Sequence, residues 1–159
     1  MTATKLYHGS NMIFDKVQLS KSRDRRDFGR GFYTTTIKEQ AEQWAKSLFD
    51  RYGGAKQLYE FECECDETLN IKIFHGLTLE WLEMVKDNRM SGGLQHSFDI
   101  VQGPVANDNT MPTIALYVDG ALSAEATLID LGYFKVNDQI SFHTEKALES
   151  LKLIQRINL

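Results

Sequence analysis

The chain has 159 residues, 42% of them hydrophobic and 25% charged, with a formal net charge of −4. A chain of this length buries roughly 68–70% of its unfolded surface, so one domain spanning residues 1–159 is expected, and its composition excludes disorder or a low-complexity scaffold. No apolar run approaches the roughly 20 residues of a membrane helix, Met1–Asp15 lacks the apolar core of a signal peptide, and two cysteines cannot build a disulfide framework, so a cytoplasmic protein with no membrane contact is expected.

Lys5–His8 reads as a short strand ended by Gly9-Ser10-Asn11. Lys21–Arg30 (KSRDRRDFGR) then holds five bases against two acids. It is either a loop for a small anionic ligand or a solvated turn in which Asp24 and Asp27 offset the arginines. Gly31–Thr35 (GFYTT) is rich in aromatic and β-branched residues and reads as a strand. Thr36 and Glu39 have the spacing of a capping box. They open a helix whose Ala41, Trp44, Ala45, Leu48 and Phe49 share one face, with Gly53-Gly54 as its stop.

Leu58–Cys65 alternates strictly, with Phe61, Cys63 and Cys65 on one side and Glu60, Glu62 and Glu64 on the other. That is the pattern of a half-buried strand. Thr78 is placed to cap a helix that turns Leu79, Leu82 and Val85 toward the core. Asp99–Val101 reads as a brief strand before Gly103-Pro104. Ser123 caps a further helix with Ala126, Leu128, Ile129 and Leu131 mostly buried and Gly132 as its stop. Gln139–Phe142 is a strand, Thr144 caps a short helix through Leu151, and Lys152–Asn158 closes the chain as a strand. Strands and helices do not alternate regularly, so an α+β fold with mostly antiparallel sheet is expected.

Few chemical motifs stand out. Cys63 and Cys65 lie on one strand face with Phe61 and lack CxxC spacing, so they read as small buried hydrophobes. HExxH, GxxxxGK[ST] and GxSxG are absent, which argues against the common metalloprotease, P-loop and α/β-hydrolase mechanisms. Gly29-Arg30-Gly31 lacks the third glycine of a dinucleotide fingerprint. His75, His96 and His143 have no nucleophile at a recognisable spacing. His8 sits at a strand end before Gly9, where imidazole and bare backbone can both meet a ligand; by itself the same pattern describes a structural histidine.

The combination LYHGS, DFGRGFYTT after a basic loop, and Trp44 eleven residues beyond Tyr33 resembles the NAD-binding half of ADP-ribosyltransferases. It is closest to the branch with a His–Tyr–Glu triad that includes the poly(ADP-ribose) polymerases and diphtheria toxin. The whole chain, from LYHGS through FDIVQGPVANDNT to DQISFHTEKALESL, is similar to a bacterial family within that superfamily known as domain of unknown function three-nine-nine-zero. The resemblance implies an ADP-ribosyltransferase-like split core of mostly antiparallel sheet with flanking helices. It implies NAD as substrate, with His8 on the adenosine ribose, the Gly9 backbone on the nicotinamide amide, and Tyr33 and Trp44 stacked on the nicotinamide ring. Trp44 also fits the apolar stripe of its helix, and both roles are compatible. Ser10, Arg23, Arg25, Arg26 and Arg30 are candidates for ribose or pyrophosphate contacts, with the choice among the arginines open, since arginine forks suit phosphate, and Gly31 is a further candidate for NAD binding.

The third triad position departs from the polymerases. Gln139 stands where they carry glutamate. Glutamine still accepts a hydrogen bond from the nicotinamide-ribose hydroxyl, but it supplies no negative charge and no base. Single transfer or NAD hydrolysis is therefore expected, not chain elongation. Asp138 ranks behind Gln139 because strand neighbours face opposite sides. Asp99, Asn107 and Asp108 in FDIVQGPVANDN read as turn chemistry, with Asp99 or Asp108 near an acceptor as the functional alternative.

The resemblance implies a mono-ADP-ribosyltransferase acting on an intracellular macromolecule, the toxin of a toxin–antitoxin pair restrained by a small antitoxin protein, with no metal. A second reading is an NAD-binding or inactive module acting through partner binding, favoured by Gln139. A third, nucleic-acid binding through Lys21–Arg30, is weakened by the net charge.

Overall fold

In the computed structural model, which describes residues 3–106, 111–131 and 137–159, the apolar and β-branched segments pair into two sheets. The first contains β1 (Thr4–Ser10), β3 (Gln57–Cys63) and β7 (Leu151–Asn158), all antiparallel, with β3 central. The second has the order β2 (Phe32–Thr34), β6 (Asp138–Phe142), β5 (Ile100–Pro104), β4 (Ile71–Ile73). It is antiparallel except for β4 and β5, a parallel pair whose crossover contains helix α2 (Leu79–Ser91). The remaining described helices are α1 (Lys38–Tyr52), α3 (Met111–Val118), α4 (Ala124–Leu131) and α5 (Glu145–Leu148). The fold is α+β, with two mostly antiparallel sheets.

Among the described residues the sheets meet at one bridge, where Tyr7 and Thr35 exchange N–H to C=O bonds of 2.8 and 2.9 Å. Past that bridge β1 and β2 part, and helix α1 lies over β1. Two cores result. Leu6, Phe32, Tyr59, Phe61, Ile140 and Phe142 pack between the sheets. Phe28, Phe74, Trp81, Leu82, Val85 and Leu131 pack between the second sheet and α2 to α4. Each fully buried side chain of this kind contributes about 1.5–3 kcal/mol.

Several local expectations are corrected. Thr36 does not cap α1. The cap position is Ile37, without a side-chain bond, and the Thr36 hydroxyl donates instead to Asp138. Thr78, Ser123 and Thr144 do cap, accepting from the N–H groups of Trp81, Ala126 and Ala147. Strand β3 ends at Cys63, and the Glu64 N–H turns to the Ser150 carbonyl. Glu60 is buried rather than solvated, because β3 is covered on both faces near Tyr59. Leu79 and Ile129, placed in the core by their spacing, are 53% and 65% exposed. Helix α5 stops at Leu148, and β7 begins one residue early, at Leu151. Strand β4 and helix α3 were not anticipated. Gly132, Asn107 and Asp108 lie outside the described residues.

Candidate active site

Where β1 and β2 separate, a cleft of about 1130 Å³ opens between β1, β2, α1 and the basic loop. His8, Gly9, Ser10, Gly31, Tyr33, Trp44 and Gln139 all line it. Arg30 does not line it. Its guanidinium donates to the carbonyls of Ser20 and Ser22 and so folds the loop back on itself.

Strand β1 presents two groups to the cleft. Side chains alternate along a strand, and so do the edges toward which the backbone groups point. The Tyr7 backbone bonds Thr35, so the Gly9 N–H and C=O point to the same edge, beyond the last bridge. Glycine is also required there for packing, since a Cβ at position 9 would stand 2.0 Å from the Ala41 carbonyl oxygen of α1. His8 faces the cleft as a half-buried ring stacked on Phe32 at 4.2 Å. Its Nδ1 lies 2.6 Å from the Tyr33 carbonyl. A carbonyl only accepts, so Nδ1 holds the proton and Nε2 is left as an acceptor. Burial pushes the His8 pKa down to about 4, with the Arg26 charge acting in the same direction and the bond to Tyr33 opposing it. The ring is neutral at pH 7. The Ser10 hydroxyl accepts from the Met12 N–H at 3.0 Å.

Tyr33 contributes its ring rather than its hydroxyl. The hydroxyl donates to the Gly29 carbonyl at 2.6 Å and accepts from the Phe28 N–H at 2.9 Å, and burial raises its pKa well above the ordinary phenol value. The Arg26 guanidinium lies 4.3 Å from the Tyr33 ring centre and 5.7 Å from that of Trp44. The slot between the two aromatic residues therefore holds a cation of the protein's own. Gly31 is forced by packing, because a Cβ there would meet His143 Nδ1 at 2.6 Å. His143 donates from Nδ1 to the Arg30 carbonyl at 2.7 Å and accepts at Nε2 from Ser141, and burial takes its pKa down to about 4.

Gln139 is 5% exposed. Its Nε2 donates to Asp27 Oδ2 at 2.9 Å and to the Pro104 carbonyl at 3.1 Å. Asp138, by contrast, faces away: its carboxylate accepts from Thr35, the Thr36 N–H and the Thr36 hydroxyl. Asp99 is equally committed to structure, accepting from the Asn70 N–H and the Thr144 hydroxyl, which hold its carboxyl below the usual range. Cys63 and Cys65 approach to 3.5 Å at sulfur, and burial pushes the Cys63 thiol up to about 12.

Among the cleft residues not named from the sequence are Arg89, Arg51 and Gln40. Arg89, in the last turn of α2, pairs with Asp27; a lone arginine at a helix end gives no hint of this. Arg51 lines the cleft from the end of α1. Gln40 donates to the Asp138 carbonyl at 2.8 Å, and its own buried carbonyl has no partner among the described residues, so it is a further acceptor in the wall. Within the basic loop the offset holds in part: Asp24 lies beside Arg25 and Arg30 and accepts from the Gly93 and Arg25 N–H groups, and Asp27 faces Arg26 but makes its ion pair with Arg89, outside the loop.

The model of the family described as protein of unknown function (DUF3990) matches residues 4–153. The chain belongs to that family. No curated protein and no solved structure matches it.

Proposed function

We propose that this member of the family is an NAD-dependent mono-ADP-ribosyltransferase that releases nicotinamide and passes ADP-ribose to an intracellular macromolecule. One observation carries the reading. Ten of the eleven residues that the ADP-ribosyltransferase resemblance names, scattered from His8 to Gln139 and all but Arg30, line one cleft. Their free valences also match the substrate. His8 Nε2 is an acceptor for a ribose hydroxyl, the Gly9 edge offers a donor and an acceptor to the nicotinamide amide, and the Tyr33–Trp44 slot already accommodates a planar cation.

In this reading the C1′–N bond breaks with its electron pair leaving on nicotinamide. The aromatic slot and the Gly9 backbone hold the ring, so that loosening the bond relieves strain. Gln139 accepts from the 2′-hydroxyl as positive charge grows at C1′. An acceptor nucleophile then attacks C1′ and loses its proton. Gln139 itself cannot take that proton, which is why single transfer or hydrolysis is proposed and not chain elongation. A toxin role with a small antitoxin partner extends the same resemblance and is tested by growth arrest on expression.

The test is nicotinamide release from NAD by the purified chain beside His8→Ala and Tyr33→Ala. Loss of at least about 100-fold in both is expected. A second reading, an NAD-binding module without transfer, is favoured by Arg26 filling the slot and by the missing carboxylate at position 139. It predicts binding by calorimetry with no release.

A further inference from the structure

Asp27 is 3% exposed, yet it belongs to the basic loop. It sits 112 positions from Gln139 in sequence and 2.9 Å from it in space. Its Oδ1 accepts from Arg89 Nε at 2.8 Å and from the terminal nitrogen of the same guanidinium. Its Oδ2 accepts from the Ala106 N–H at 2.9 Å and from Gln139. The charged and titratable groups around it are Arg89 from α2, Arg26 from the loop and Tyr33 from β2.

Both partners of Gln139 Nε2, the Asp27 carboxylate and the Pro104 carbonyl, are pure acceptors. The amide therefore has one admissible orientation. Turned over, Oε1 would face two oxygens and both bonds would be lost. An N–H that donates to an anion also shifts electron density toward the carbonyl of the same amide. We propose that Asp27 is a positioning residue: held by Arg89, it locks and polarises the Gln139 amide so that Oε1 is the acceptor presented to the cleft, and the two side chains together replace the single glutamate of the polymerases. The assignment rests on the transferase reading.

Three variants test it: Q139E, D27N and the exchange D27N/Q139E. In Q139E two carboxyl groups meet at hydrogen-bond distance, so one retains a proton. The introduced carboxyl then titrates higher folded than unfolded, and its contribution is present at low pH and lost as pH rises. The Q139E melting midpoint should approach wild type near pH 5 and fall toward pH 8, whereas the exchange variant should follow the wild-type pH profile. For NAD cleavage, D27N should lose on the order of tenfold or more in kcat with KM little changed. The exchange variant should regain that loss, because a carboxylate again lies at position 139 with an amide behind it. If D27N does not fold, Q139E and the exchange variant carry the test. A Q139E midpoint parallel to wild type from pH 5 to 8, a D27N kcat equal to wild type, or single effects that merely add in the exchange variant each overturn the proposal. A wild-type chain that neither binds nor cleaves NAD overturns the transferase reading and the positioning role with it. A pH-dependent Q139E midpoint in that case still marks the contact, so the two failures are told apart.

Discussion

Burial sets the chemistry of His8 before any ligand arrives. Its ring is neutral at pH 7 because Phe32, Phe14 and Tyr59 surround it and Arg26 opposes a second positive charge. The same burial links stability to pH. His8 and His143 both titrate near 4 when folded and near 6.5 when unfolded. Between those values the unfolded chain binds more protons, so stability is full above about pH 6.5 and falls as pH drops toward 4. The urea midpoint should therefore decline between pH 7 and pH 5, by on the order of a few kcal/mol in unfolding free energy, and less steeply in His143→Gln. A flat profile would mean the rings are hydrated. Arg26 makes a second prediction. Its contact with Tyr33 is worth about 1–2 kcal/mol in a partly desolvated slot, and a ring entering the slot must displace it. Arg26→Ala should bind free nicotinamide roughly 5- to 30-fold more tightly. Trp44 quenching reads this out, since Trp81 is fully buried. Nicotinamide carries no phosphate, so any pyrophosphate contact made by Arg26 does not enter the measurement.

Strand β1 and helix α1 position the site, and Gly9 is the residue on which their distance depends. A Cβ there would overlap the Ala41 carbonyl and approach the Ala45 nitrogen to 3.0 Å. Gly9→Ala must push the helix off the strand, at a cost of about 1–3 kcal/mol, and should lower the melting temperature while displacing Trp44 from the slot. Thr78→Ala should cost about 1 kcal/mol by removing a true cap. Thr36→Ala should act instead by loosening Asp138, and so the join between β6 and the start of α1. The contrast shows what local pattern can encode. A Thr with a glutamate three residues on signals a cap, yet a carboxylate 102 positions away takes the hydroxyl first. Helices α1, α2 and α4 and strands β1, β3 and β6 were legible because their periodicity is a local property. Strand β4 was not, because Ile71–Ile73 is three residues long on a sheet edge and partly exposed. The burial of Glu60 was not, because it depends on neighbours distant in sequence, among them Gln155 of β7, which pairs beside it and donates to its carboxylate. In the candidate site, His8, Gly9, Gly31 and Tyr33, named from motifs, line the cleft and Arg30 does not. The pairing of Asp27 with Arg89 was not legible, because it is a contact across 62 positions.

At the scale of the molecule, charge is distributed against the average. The chain carries a net −4, yet the cleft is lined by Lys16, Lys21, Arg23, Arg25, Arg26, Arg51 and Arg89 against Asp15 and Asp27. Arg89 and Asp27 neutralise one another, and Arg25 also reaches the Arg89 and Met90 carbonyls at the end of α2. A positive cleft in a negative body draws a small anion to one place while repelling long polyanions elsewhere on the surface. That favours a pyrophosphate over an extended nucleic-acid track, and salt separates the two. At a Debye length of about 30 Å in 0.01 M salt and about 8 Å at 0.15 M, exposed loop cations act on a bound diphosphate strongly in the first case and weakly in the second. The affinity for NAD should therefore fall several-fold across that range, and the affinity for free nicotinamide, which carries no net charge, should stay constant. Equal salt dependence for both would mean that the cationic wall does not hold the phosphates. A polyanion column that retains the chain at low salt and releases it steeply as salt rises would return the loop to a nucleic-acid surface, since each phosphate contact steepens the salt dependence.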